Sequence, residues 1–235
     1  MLAFFLTVGF PVVLGAGFGL VFMVGQALGK GSRLLERSGA YLYPVLLAIP
    51  LIACLVPAWR QGGLEALGFA LPRLGTLGTW TVVLVGSLLG VAIGAALFYN
   101  ELAVGTLVQR MVDRRRGITR ALEGRSREFA AEQRQGSLAS ILTISIFVVI
   151  AEEVLWRGFL PAFLKQRFGL SLVLAGFLAA LSFGINHYYF GLRNVFLKGL
   201  SGAVWIVLFL ATGSLLIPCV SHYTFEVLAW RRIRG

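Results

Sequence analysis

The chain contains two histidines, His187 and His222, and each lies in an apolar stretch. The first of three chemically active stretches reads Ala151-Glu152-Glu153-Val154-Leu155-Trp156-Arg157-Gly158. The second reads Phe183-Gly184-Ile185-Asn186-His187, and the third His222-Tyr223-Thr224-Phe225-Glu226. An ionisable group at the centre of a membrane helix costs about 2.5–3.5 kcal/mol on insertion scales, so each one present needs a reason. On a helix, residues four apart share a face. Glu153 and Arg157 are so spaced, with the acid on the N-terminal side, and are expected to pair and neutralise each other. Glu152 sits about 100° round the same helix and is left without that cation. Phe183 and His187 share a face, as do His222 and Glu226. A carboxylate without a cation beside two imidazoles is the set of groups that general-base hydrolysis needs: the carboxylate takes a proton from water as the water attacks.

The elements that must position these groups are membrane spans. Of the 235 residues, 58% are hydrophobic and only 13% charged, and the mean hydropathy is +0.85. A soluble domain of this size cannot hide so much apolar surface. The blocks 2–29, 38–59, 74–100 and 135–151 carry no charge, and about 20 such residues cross the hydrocarbon layer. The expectation is an all-α, polytopic membrane helix bundle with about seven transmembrane helices, at roughly 3–28, 40–59, 78–101, 137–163, 170–190, 195–212 and 214–230. Breakers such as Gly29-Lys30-Gly31-Ser32, Gln61-Gly62-Gly63 and Thr212-Gly213-Ser214 fall between them. With 29–39, 104–136, 191–194 and the C-terminus on the cytoplasmic side, that side carries fifteen Lys and Arg against four on the other. The positive-inside rule then places the N-terminus out and the C-terminus in.

The net charge of +11 is accounted for in the same way. Eight basic residues lie in the polar segment 104–135, and Arg231, Arg232 and Arg234 close the chain. The segment interleaves them with one aromatic residue, Phe129, which argues against a stacking platform for nucleic acid; a solvated helix on the cytoplasmic face fits better. This segment divides the chain into N-terminal membrane helices, 1–136, and a four-helix core, 137–235, that holds the chemistry. Cys54 and Cys219 form no C-x-x-C pair and read as packing residues. The series Gly86-x-x-x-Gly90-x-x-x-Gly94 reads as a close-packing seam. The first positive charge, Lys30, follows the first apolar block, which reads as a retained span rather than a cleaved signal.

The three stretches together carry a resemblance. Glu152-Glu153-x-x-x-Arg157-Gly158, then Phe183-x-x-x-His187, then His222-x-x-x-Glu226 preceded by Thr212-Gly213-Ser214-Leu215, resemble the motifs of the CPBP family of intramembrane proteases. That family includes CAAX prenyl endopeptidases of the Rce1 type and bacterial Abi-type proteins. The resemblance covers about 137–230. It implies an intramembrane glutamate-type endopeptidase acting on a membrane-associated, in some members lipidated, protein or peptide in a bacterial cytoplasmic membrane. It further implies that Glu152 activates the attacking water with help from His187, that His222 stabilises the oxyanion, and that Glu153 and Arg157 are structural. Glu226 departs from the family's usual Asn; an ionised carboxylate there repels an oxyanion unless it is protonated, paired with His222 or turned away.

The rival readings are specific. No cofactor is expected, although Glu152, His187 and His222 are of the types that make a three-ligand zinc site. Two adjacent glutamates argue against a bis-histidine haem, and the short chain without an inverted repeat argues against a proton-coupled transporter. The alternative from another class is a non-catalytic membrane chaperone, immunity factor or pseudoprotease that binds a partner in the same cavity; Glu226 is the feature that favours it.

Overall fold

The computed structural model describes residues 1–10, 31–73, 78–112, 138–188 and 192–234. The stretch 11–28 of the expected first span, the Gly15-x-Gly17-x-Gly19 series, Lys30 and residues 113–135 of the basic segment lie outside the described residues. The described residues are helical apart from short turns. They form α1 (Leu2–Val8), α2 (Gly31–Arg60), α3 (Thr79–Val112), α4 (Leu138–Glu153), α5 (Leu160–Phe168), α6 (Leu172–Asn186), α7 (Leu192–Thr212) and α8 (Leu216–Arg234). The protein is a membrane helix bundle. By length and composition alone, Leu42–Arg60, Thr79–Gly105 and α7 suffice to cross a bilayer. Their outward faces are apolar: Trp59 is 72% exposed, Trp80 76% and Leu192 83%. The polar groups meanwhile point inward, as a bilayer requires. Trp59 ends α2 and Trp80 begins α3, where interfacial tryptophans belong.

Several boundaries differ from those expected. The segment after Gly31 is helical and continuous with α2, and residues 192–194 belong to α7 rather than to a loop. Helix α3 runs past Asn100 into the start of the polar segment. The fourth span is not one regular helix: a π turn, Val154–Phe159, joins α4 to α5 without a break. Pro161 explains it. Proline has no N–H for the carbonyl of Arg157, and its ring would press on that carbonyl in an α-helix, so a locally wider turn relieves both. Gly158 inside the turn lies against the 3₁₀ turn Glu65–Leu67 (a Cβ there would run into the Leu67 carbonyl oxygen).

Helix α6 starts at an N-cap, Ser171, whose hydroxyl accepts from the Leu174 N–H at 3.3 Å. It ends at Asn186 after 15 residues, about 22 Å of rise against the roughly 30 Å hydrocarbon core. The span expected over 170–190 therefore stops short. Helix α7 packs against its end through Gly184 and Gly199, where a Cβ on Gly184 would meet the Val195 carbonyl oxygen and come within 3.0 Å of the Gly199 Cα. On the other side, Gly86, Gly90 and Gly94 of α3 face Ile217, Val220, Ser221 and Thr224 of α8. This small-residue seam brings the two backbones together.

Candidate functional site

The two adjacent glutamates face different partners. Glu153, fully buried, accepts a hydrogen bond from the Nδ1–H of His222 at 2.7 Å on Oε1. Its Oε2 lies 3.2 Å from Arg157 Nε. The π turn thus preserves the pairing expected of an ordinary helical spacing. This contact is an ion pair without an aligned hydrogen bond, and the guanidinium nitrogens have no hydrogen-bond partner among the described residues. Aromatic faces take their place: the Arg157 Cζ lies 4.0 Å from the centroid of Phe183 and 5.0 Å from that of Trp205. A desolvated cation over a ring is stabilised by about 2 kcal/mol. Gly202 of α7 leaves room for this stack, since a Cβ there would come within 3.0 Å of Phe183 and 3.5 Å of an Arg157 Nη.

Glu152, 3% exposed, turns away from Arg157. Its Oε1 accepts a hydrogen bond from the Tyr43 hydroxyl, and Tyr43 in turn accepts from Asn186 Nδ2 at 3.0 Å. Its Oε2 faces His222 Nε2 at 3.7 Å. The same Nε2 lies 4.0 Å from Oε1 of Glu226, whose side chain is 30% exposed. One imidazole therefore meets three carboxylates, Glu153 through Nδ1 and Glu152 and Glu226 through Nε2. The ring is fixed by a stack on Trp205, centroids 3.9 Å apart and 20° from parallel, and Trp205 is held by donating Nε1–H to Ser221 Oγ at 3.0 Å. Ser221 precedes His222 on α8, so the helix that carries the imidazole also anchors the ring beneath it.

His187 caps the C-terminus of α6, and its Nδ1–H donates to the Phe183 carbonyl at 2.9 Å. That bond sets the tautomer and makes Nε2 the acceptor nitrogen. The Phe183 ring lies 4.8 Å from the His187 ring and 6.0 Å from that of His222. His187, at the end of α6, joins the aromatic cluster around the site. No three His, Cys, Asp or Glu side chains among the described residues group closely enough to hold a metal ion.

Residues 134–228 match the family model described as Type II CAAX prenyl endopeptidase Rce1-like. This region is an Rce1-like domain. The match covers 95 of the 235 residues, so it is this region that is similar to a CAAX-type intramembrane protease. No curated protein and no solved structure matches the chain. Glu152, Glu153, Arg157, Phe183, His187, His222 and Glu226 all fall within the Rce1-like region.

Four partners escaped the sequence. Trp205 and Ser221 lie in apolar helices and carry no spacing signal relative to His222. Asn186 adjoins His187 but looked like part of an ordinary apolar helix. Tyr43 lies in a span that, from sequence, held nothing of chemical interest, yet it touches Glu152 across 109 residues of chain. A second intramembrane pair also went unnoticed: Lys198 Nζ lies 3.4 Å from Glu101 Oε2 and 3.8 Å from the Phe225 centroid, so α3 does carry an ionisable residue inside its apolar length.

Proposed function

We propose that this protein is an intramembrane glutamate-type endopeptidase that hydrolyses a peptide bond of a membrane-associated protein or peptide, lipidated or not, in a bacterial cytoplasmic membrane. The observation that carries the reading is the 3.7 Å separation of Glu152 Oε2 from His222 Nε2. It is too long for a good direct hydrogen bond and suits a water that touches both groups. In the proposed step an O–H bond of that water breaks, its proton goes to Glu152, and its oxygen bonds to the scissile carbonyl carbon. His187 assists the activation. His222, held by Glu153, donates from a protonated Nε2 to the oxyanion. Collapse of the tetrahedral species breaks the C–N bond, and Glu152 returns its proton to the leaving amine. Glu153 and Arg157 hold the imidazole and the π turn in place. Glu226, partly exposed and 1.3 Å farther from the imidazole than Glu153 is, sits at the open side of the site.

The test compares membrane-protein termini by mass spectrometry in a strain carrying the wild-type protein, one lacking it and one carrying Glu152→Gln. Termini produced by the wild type alone are expected, and they define a peptide for kinetics. Wild-type processing by Glu152→Gln sinks the hydrolase mechanism. If all three strains show the same termini, the non-catalytic binding role takes its place.

A further inference from the structure

Glu152 accepts a hydrogen bond from outside the Rce1-like region, from Tyr43. We infer that Tyr43, oriented by Asn186, is a positioning residue that occupies one carboxylate oxygen of Glu152 and thereby leaves the other as the atom that meets water. This rests on the reading of Glu152 as the base. The two oxygens are already divided: Oε1 accepts from Tyr43, and Oε2 faces His222. A carboxylate turns about its last bond at little cost unless something holds it. The phenol holds it in both of its states. It donates to Oε1 while Glu152 is ionised, and it donates to the same atom, then a carbonyl oxygen, once Oε2 has taken a proton.

The phenol is itself held. Asn186 Nδ2–H donates to its oxygen at 3.0 Å, which uses a lone pair and directs the phenolic proton at Glu152. The Tyr43 ring meets the fully buried Phe10 edge-on at 5.5 Å, and Phe10 meets Trp156 at 6.2 Å. Trp156 in turn donates to Ser182 Oγ at 3.2 Å. The buttress therefore returns to the π turn and α6, the two elements that carry Glu152's neighbours and His187. Asn186 is 2% exposed, and its Oδ1 has no hydrogen-bond partner among the described residues. Its buried amide thus has Tyr43 as its one hydrogen-bond partner there, as expected of a group kept to aim the phenol. The other groups facing Glu152 are His222 and Glu226 on α8; Arg157, in the π turn, is paired with Glu153.

The test uses the full chain in lipid nanodiscs with Tyr43→Phe, Asn186→Leu and the double variant. Infrared difference spectra locate the Glu152 carboxyl band by its loss in Glu152→Gln. Tyr43→Phe, which keeps the ring and its packing, is expected to shift that band. On the peptide defined by the strain comparison, it lowers kcat about 10- to 100-fold, the loss of one hydrogen bond to a charged group, with KM changed less than about twofold. Asn186→Leu gives a smaller loss that disappears in the Tyr43→Phe background, because Asn186 acts through the phenol. A band that stays in place in Tyr43→Phe overturns the assignment of Tyr43. An Asn186→Leu loss of the same size with or without the Tyr43 hydroxyl overturns the assignment of Asn186. Either failure leaves the hydrolase reading standing, which fails separately if Glu152→Gln still cleaves.

Discussion

Arg157 offers the sharpest test of how the site is held. Both Arg157 and Glu153 are fully buried. Besides Arg157, Glu153 touches His222, through one hydrogen bond. Arg157→Met keeps the length and apolar bulk of the side chain and removes the charge. Glu153 is then a buried anion with one hydrogen bond. Removing one partner of a buried pair costs about 3–5 kcal/mol, most of it the charge left behind. Losing the stack on Phe183 and Trp205 is part of that figure. Pairing Arg157→Met with Glu153→Gln removes both charges and still offers His222 Nδ1–H an acceptor. The double variant is expected to recover most of the loss, a coupling of about 2–3 kcal/mol. Arg157→Lys falls between, because a compact ammonium cannot lie flat over two rings.

The assay is reversible unfolding in mixed detergent micelles, followed by tryptophan fluorescence. Trp156 and Trp205 are fully buried beside the site and report on it directly. A loss below about 1 kcal/mol for Arg157→Met refutes the reasoning, as does a double variant whose cost equals the sum of the single ones. Either result means that Glu153 carries no charge to be balanced and that Arg157 is held by its aromatic neighbours alone.

Other outcomes follow from the same geometry. Glu152→Gln and His187→Ala should each abolish proteolysis while membrane insertion, read by protease protection, stays normal. Glu226→Asn should preserve or raise the rate, since it removes a carboxylate 4.0 Å from the imidazole proposed to donate to the oxyanion; complete loss of turnover gives Glu226 a catalytic role of its own. Gly184→Ala places a methyl against the Val195 carbonyl and Gly199, backbone that cannot move aside. A cost of about 1–3 kcal/mol in the same unfolding assay is expected, and an unchanged midpoint means that α6 and α7 are less closely packed than described.

The membrane character was legible because apolar runs and the placement of Lys and Arg are properties of the chain itself. The pairing of Glu153 with Arg157, of Phe183 with His187 and of His222 with Glu226 was legible because each is a local spacing on one helix. Other features were not. The π turn depends on Pro161 and on room made by Gly158, and a spacing rule assumes regular geometry. The end of α6 at Asn186 is set by how α7 returns against it, and hydropathy runs straight through the turn. Tyr43 reaches Glu152 because α2 packs on α4 and on the π turn that follows it, a fact about the fold and not about either local sequence. The seam Gly86, Gly90 and Gly94 was visible as a pattern, but its partner, the helix of His222, was not.

The division of labour between two neighbouring glutamates has one structural cause. A step of one residue turns a side chain by about 100°, and that alone sends Glu153 toward Arg157 and Glu152 toward Tyr43. The two would nonetheless be independent if His222 did not stand between them. Its Nδ1 is committed to Glu153 at 2.7 Å, and the Trp205 stack fixes the plane of the ring, so Nε2 has a single direction left, toward Glu152 and Glu226. Glu153 therefore does more than neutralise Arg157: it sets which nitrogen of the imidazole faces Glu152, the proposed base. The buried pair, read from the sequence as packing, is in this arrangement the part that aims the site. Replacing Glu153 with Ala should accordingly lower the rate even in a background where a second substitution has removed the uncompensated charge of Arg157.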